Sequence, residues 1–243
     1  MELIVQTWIT LISNKTRSLL TMFGIAWGLI CLILMNAMNE GMWEAQKQKA
    51  KTLGQNIMIV WGGTTSKGGQ GARAGRRVSL TLDDYFLLKT QATHLRRLSP
   101  EIIRGMLVQS HLNNGSFDVH GVYPDYMQMR SIAVQPGGRL IHQGDNTGAQ
   151  RVCILGDEAK QQLFEKNRAV GENVMIGGLP YLVIGELVHK DQNSDYSGPD
   201  KRHIFVPFQA MARDFPITWA WTDKFHLSDL IFQPISPQLP WPI

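Results

Sequence analysis

LLTMFGIAWGLICLILMNAM, residues 19–38, is the stretch that decides how this chain is built. It carries no charged side chain over a length that matches the hydrocarbon core of a bilayer. No comparable run occurs in the rest of the sequence. The segment predicts one transmembrane helix with a folded domain tethered to it. Lys15 and Arg17 stand just before the run, whereas Asn39, Glu40 and Glu44 follow it, a bias that favours a cytoplasmic N-terminus and places the large C-terminal part outside. A cleaved signal peptide would have an apolar region of about 7–15 residues ending in a small-x-small site. Here the run is longer and closes on Asn36-Ala37-Met38-Asn39, which favours an uncleaved anchor.

Upstream, Leu3, Ile4, Trp8, Leu11 and Ile12 recur at helical spacing, with Trp8 suited to the headgroup level. They predict an interfacial helix over residues 1–18, or simply the start of the anchor. Downstream, residues 39–53 contain no proline and lead into Gly54, a natural residue to follow a helix end. A helix from Arg17 to Leu53 would measure about 55 Å against a core of about 30 Å, so about 20 Å should project as a stalk. Gly24 and Gly28 form a small-xxx-small pair through which a second helix could approach.

Composition narrows the partners. The 243 residues are 44% hydrophobic, enough for one or two ordinary cores beyond the membrane segment. The formal charge of +4 would permit attraction to nucleic acid or anionic lipid, but the basic residues are scattered except at Arg73, Arg76 and Arg77. No nucleic-acid partner is expected. Cys31 lies in the apolar run and Cys153 in a predicted strand, so they are not expected to form a disulfide.

Beyond the stalk, Asn56–Trp61 reads as a strand running into a Gly-rich loop, residues 62–77, which carries Lys67, Arg73, Arg76 and Arg77 but lacks the Gly-Lys-Ser/Thr ending that holds a nucleotide phosphate. Thr81 followed by Asp84 makes a capping-box start for a helix whose apolar face includes Tyr85, Leu87 and Leu88. A strand over Ile102–Gln109 completes a β-α-β unit. From Ser116 the texture changes to short strands, at Phe117–Val122, Arg151–Leu155, Asn173–Ile176, Tyr181–Val188 and Ile204–Phe208, with a hairpin turn at Gly177-Gly178. One helix is expected over Asp157–Glu165, with Ala159 and Leu163 inward. Leu230–Gln233 reads as the first strand of a second β-α-β half.

Catalytic chemistry has little to stand on. His189 and Asp191 could share one face of a strand end, yet a metal site ordinarily takes three or four ligands. Asp83 and Asp84 are neighbours on a helix and point in different directions, so helix capping explains Asp84 better than acid-base work. His111, His120, His142, His203 and His226 show no shared spacing.

The order of these pieces is specific. Residues 14–28, NKTRSLLTMFGIAWG, resemble the Asn-Lys-x-Arg-Ser-x-Leu-Thr-x-x-Gly lead into the first membrane helix of MacB-type permeases of ABC transporters, the exporter superfamily with FtsX-like membrane domains. Asn14, Lys15, Arg17 and Ser18 carry that resemblance. LGQNIMIVWGG, LTLDDY, LSPEI, VHGVYPDYMQM, GGRL, VCILGDEAKQQLF, VGENVMIGGLPYLVIGEL and HIFVPF then look like the periplasmic core of this family, in the family's order, so that the likeness covers residue 1 to about residue 235.

The resemblance implies an α+β fold: a membrane helix at 19–38, a stalk at 39–53, a porter-like α/β part at 54–115, a β-rich sabre-like part at 116–212, and a returning porter segment beginning at 213–243. It also implies a permease subunit in the inner membrane, without catalytic residues, metal or cofactor of its own. Its partners would be membrane lipid, a cytoplasmic ATPase subunit, a second permease copy or paralogue, and a periplasmic adaptor. The work would be mechanical, coupling ATP hydrolysis to periplasmic rearrangement and efflux of drugs, peptides or lipoproteins. A complete permease of this type would return to porter residues and finish with three more membrane helices, so the sequence reads as a C-terminally truncated one, with an open edge on its porter sheet. The alternatives are a free-standing membrane-tethered periplasmic binding or adaptor module, and a tethered enzyme.

Overall fold

A computed structural model describes residues 15–52, 57–66, 75, 78–92, 94–189, 196–216 and 226–235. Two compact units make up the chain, Met1–Lys49 and Ala50–Ile243. The first is dominated by one unbroken helix, α1, running 38 residues from Lys15 to Thr52. It contains no proline, and at 1.5 Å per residue it is about 57 Å long. Its Lys15–Glu44 portion is long and apolar enough to cross a membrane, with a window of 18 residues in it reaching a mean hydropathy of 2.2. The one hydroxyl near the start of the apolar run is satisfied within the helix: Thr21 Oγ1 donates to the carbonyls of Ser18 at 2.9 Å and Arg17 at 3.2 Å.

The second unit is built on one eight-stranded sheet. In chain order it comprises β1 (Met58–Trp61), α2 (Leu82–Gln91), β2 (Leu95–Gln109), β3 (Asn114–Val122), α3 (Pro124–Met129), α4 (Gln143–Thr147), β4 (Val152–Leu155), α5 (Asp157–Phe164), β5 (Asn173–Ile176), β6 (Leu179–Glu186), a 3₁₀ turn at Asp200–Arg202, β7 (Ile204–Pro207), α6 (Phe208–Asp214) and β8 (Asp229–Pro234). The fold class is α+β, as the sequence predicts.

Local chemistry accounts for several of these elements. Asp84 accepts from the Thr81 backbone N–H at 2.7 Å and from its hydroxyl at 2.8 Å, closing the capping box that starts α2. Gly177 and Gly178 take φ values of +53° and +86°, so the β5–β6 hairpin turns through two residues that other side chains would strain. Ala159 and Leu163 of α5 are fully buried. The helices α3, α4 and α6 have no strong periodic signal, because 5–7 residues are too few to make a helix stable without tertiary packing.

Strand order along the sheet is β1-β8-β2-β3-β7-β4-β6-β5. Both β1 and β2 run antiparallel to β8, and are therefore parallel to each other with β8 lying between them. The β-α-β unit is thus split by a strand that arrives more than a hundred residues later in the chain. Among the described residues β1 is paired on one side only. The long strand β2 belongs to two arrangements. Leu95–Glu101 pairs with β8, whereas Glu101–Gln109 pairs with β3. A further contact of Val108 with Ile176 and of Gln109 with Met175 joins β2 to β5, closing β2, β3, β7, β4, β6 and β5 into a ring.

Alternation along the strands divides the core. Cys153, Leu155, Val183, Ile204 and Val206 turn to one cluster, which α2, α5 and α6 supply with Tyr85, Leu163, Phe164, Phe208 and Met211. Val152, Ile154, Ile184 and Phe205 turn to a second cluster, covered by Tyr126, Met127 and Met129 of α3.

Candidate functional site

The polar residues that matter most sit inside the second cluster. Glu101 occupies the point of β2 where its partner changes: Val122 of β3 lies across from it on one side and Asp229 of β8 on the other. Two residues along the same face, His120 of β3 faces Ile103. Glu101 and His120 are both fully buried, and His120 Nδ1 lies 2.6 Å from Glu101 Oε1. The second carboxyl oxygen of Glu101 accepts from the Tyr196 hydroxyl. Tyr196 is in turn hydrogen-bonded to Tyr126 of α3, oxygen to oxygen at 2.9 Å.

Arg130, the residue that ends α3, stands over the Tyr196 ring at 5.2 Å and donates to Asp200 at 2.7 Å in an ion pair whose side chains are 3% exposed. The His203 ring stacks on His120 with centroids 4.1 Å apart. Together these contacts fasten the 196–203 segment to the face where β8, β2 and β3 meet.

Burial sets the electrostatics. Asp229 is pushed up to about 7 by desolvation and then by the neighbouring Glu101 carboxyl. His203 is held down to about 4, first by burial and then by His120, so it is neutral at physiological pH. Burial also drives the Tyr126 and Tyr196 phenols well above their usual range, and both remain donors. His120 Nε2 and His203 Nδ1 have no hydrogen-bond partner among the described residues. The arrangement holds strands together. Glu101 and His120 themselves are fully buried and closed to a substrate. No group of three or more His, Cys, Asp or Glu residues able to hold a metal occurs among the described residues.

The residues singled out from sequence are spread along the chain. Lys15, Arg17 and Ser18 open α1, while Asn14 lies outside the described residues, as do Lys67, Arg73, Arg76, Arg77 and Asp191. A Cβ placed on Gly24 or Gly28 would meet nothing within 4 Å among the described residues. His189 pairs with Asp157 at the start of α5, its Nδ1 lying 2.5 Å from Oδ2. His111 packs on Phe164, and His142 accepts from the Asp145 backbone N–H at the start of α4. Cys31 and Cys153 are both free thiols. Sequence reading did not connect Glu101, His120 and Tyr196. No apolar stripe marked them out, because Ser116 and Asp118 share the His120 face of β3 and Ser99 stands two residues before Glu101 on β2.

A helix long and apolar enough to cross a bilayer, followed by an α+β unit whose strands form a split β-α-β joined to a ring, defines a tethered domain of one recognisable class. Residues 18–233 match the MacB-like periplasmic core domain, and the chain belongs to that family. It is 30% identical over 200 residues to the macrolide export ATP-binding/permease protein MacB of Bdellovibrio bacteriovorus, an alignment covering 82% of this chain and 30% of that protein. It is 26% identical over 208 residues to the uncharacterized ABC transporter permease YvrN of Bacillus subtilis, covering 82% of this chain and 50% of that one.

Among solved structures, the periplasmic region of MacB from Actinobacillus actinomycetemcomitans superposes with a TM-score of 0.59 at 17% identity, covering 79% of each chain. The extracellular domain of the ABC-type transporter YknZ from Gram-positive bacteria gives 0.53 at 23% identity, covering 65% of this chain and 74% of that one. These two likenesses show the fold. The chain spans about 30% of the length of the first curated relatives it matches.

Proposed function

We propose that this chain is the first membrane helix and periplasmic ectodomain of an ABC-type exporter permease. The observation that carries the reading is continuity: the family match runs from residue 18 to residue 233, beginning inside the same unbroken helix that contains the apolar segment. In this reading α1 enters the inner membrane from a cytoplasmic N-terminus, with Asn14, Lys15, Arg17 and Ser18 at the inner surface, and leaves it as a stalk. Residues 54–115 and 213–243 supply the porter-like part, and residues 116–212 the sabre-like part. A cytoplasmic ATPase subunit drives movement of the helix, and the ectodomain passes that movement to cargo such as drugs, peptides or lipoproteins, with a periplasmic adaptor as a further partner. A second permease copy or paralogue packs along Gly24 and Gly28.

Membrane-impermeant maleimide labelling of spheroplasts tests the topology: cysteine at exposed Ser116 should react, whereas cysteine at Thr16 should react only after lysis. Cysteine replacing Gly24 or Gly28 should cross-link to a second membrane helix, and the tagged chain trapped with ATP and vanadate should retain an ATPase subunit. Labelling at Thr16 in intact spheroplasts would overturn the orientation. Isolation without any ATPase, but with a soluble periplasmic protein, would replace the permease reading with that of a tethered binding or adaptor module.

A further inference from the structure

A cleft of about 350 Å³ opens in the ectodomain between α2 and the α4–α6 pair. Its two walls differ in chemistry. On the α2 side the buried Tyr85 ring meets Phe86 edge-on at 5.3 Å and Tyr123 at 5.4 Å. Phe86 remains 51% exposed at the mouth, leaving a large aromatic face available.

On the other side α4 contributes Gln143 and Asn146, one helical turn apart, and α6 contributes Gln209. The Asn146 carboxamide is pinned by accepting the Gln209 backbone N–H at 3.2 Å, and the Gln209 side chain is hydrogen-bonded to Tyr123. Lys89, whose Nζ stands 5.6 Å from the Tyr85 ring centre, and Asp125 line the same cleft and offset each other's charge. None of these residues takes part in the Glu101 cluster.

We propose that this cleft is a binding site for a neutral pyranoside, one or two sugar rings in size. A pyranose has a flat C–H face that packs on an aromatic ring and an edge of hydroxyls that both donate and accept. Carboxamides also do both, and those of Asn146 and Gln209 are held in position opposite the rings. An ionic ligand would gain from one of Lys89 and Asp125 and be opposed by the other. A wholly apolar ligand would leave the amide wall without partners. The volume lies at the small end of the roughly 300–1,000 Å³ typical of ligand clefts, which suits a compact ring better than an extended peptide. This proposal stands whether or not the chain serves an exporter.

Saturation-transfer NMR on the full chain in lipid nanodiscs, free of sugar detergents, tests it with methyl α-glucoside and N,N′-diacetylchitobiose as probes. Transfer to ring protons is expected, with a Kd on the order of millimolar. Phe86→Ala and Gln143→Ala should each weaken it by about fivefold or more. Leu87→Ala, equally exposed on α2 but outside the cleft, should leave it unchanged. Phe86 and Gln143 are both exposed, so an unaltered melting temperature separates lost binding from lost folding. The proposal is overturned by three results: no transfer to either saccharide up to about 50 mM, transfer that survives both substitutions, or transfer to a neutral tripeptide such as Ala-Phe-Ala in place of the sugars.

Discussion

Replacing Asp229 by asparagine should make the ectodomain more stable at neutral and alkaline pH, although the substitution removes a charge from a protein that holds the residue in its core. Asp229 is 5% exposed and faces Glu101 across the β2–β8 pair. Its carboxyl is moved from an ordinary 3.8 up to about 7 by burial and by Glu101. A group raised in this way contributes stability that is fully present below about pH 4 and is lost as the pH climbs to about 7. At about 1.4 kcal/mol per pH unit, that window corresponds to about 4 kcal/mol.

An asparagine side chain would keep the shape and escape the ionisation, so Asp229→Asn should gain about 2–4 kcal/mol over the natural chain at pH 8, and no more than about 1 kcal/mol at pH 4.5. For a domain of this size that is a rise of roughly 5–15 °C in Tm. Thermal melts of the two proteins in nanodiscs at half-unit pH intervals give the difference directly, cancelling every other titrating group. A difference that stays flat between pH 4.5 and pH 8, or that favours aspartate at pH 8, would refute the assignment of a raised, buried carboxyl at this point.

Three further outcomes follow from the packing. Glu101→Ala leaves His120 Nδ1 and the Tyr196 hydroxyl without their shared acceptor in a dry interior, and should lower unfolding free energy by about 3–5 kcal/mol in urea titration. A loss below about 1 kcal/mol would mean that water reaches the cluster. Gly156→Ala sets a Cβ about 2.3 Å from the Lys201 carbonyl oxygen, so backbone must shift between β4 and α5. A destabilisation of about 1–3 kcal/mol is expected by chemical denaturation. Asp214 accepts from Arg151, Arg213 and Tyr181. Burial works against its charge, but these hydrogen bonds hold its carboxyl well below the usual range. Its contribution is therefore present above about pH 4 and lost as pH falls through its folded value, so Asp214→Ala should cost about 1–2 kcal/mol at pH 7, with the deficit shrinking under strong acid.

Much of the architecture was legible in the chain because its causes are short-range. An uncharged run of bilayer length and a proline-free continuation are properties of consecutive residues, and α1 followed from them. The capping pair Thr81 and Asp84, the Gly177-Gly178 turn and the inward spacing of Ala159 and Leu163 each act within four residues. The same holds for the Leu230–Gln233 strand and for the colinear motifs that mark the family.

What only the tertiary structure decided involves residues brought together across long stretches of chain. Nothing near β1 or β2 says that β8 will separate them, because that depends on which strand edge remains open after the intervening residues have folded. The closing of the ring through Val108 and Ile176 has the same origin. Glu101, His120 and Tyr196 stand apart in the chain, with no local pattern to join them. Burial turns them into one hydrogen-bonded unit, since a polar group removed from water must find a partner and the nearest ones come from other strands. The sequence by itself determined that this protein is a helix-tethered α+β domain of the MacB-like kind. The tertiary structure decided where its strands cross and which buried groups lock them, because desolvation and pairing are properties of neighbours in space.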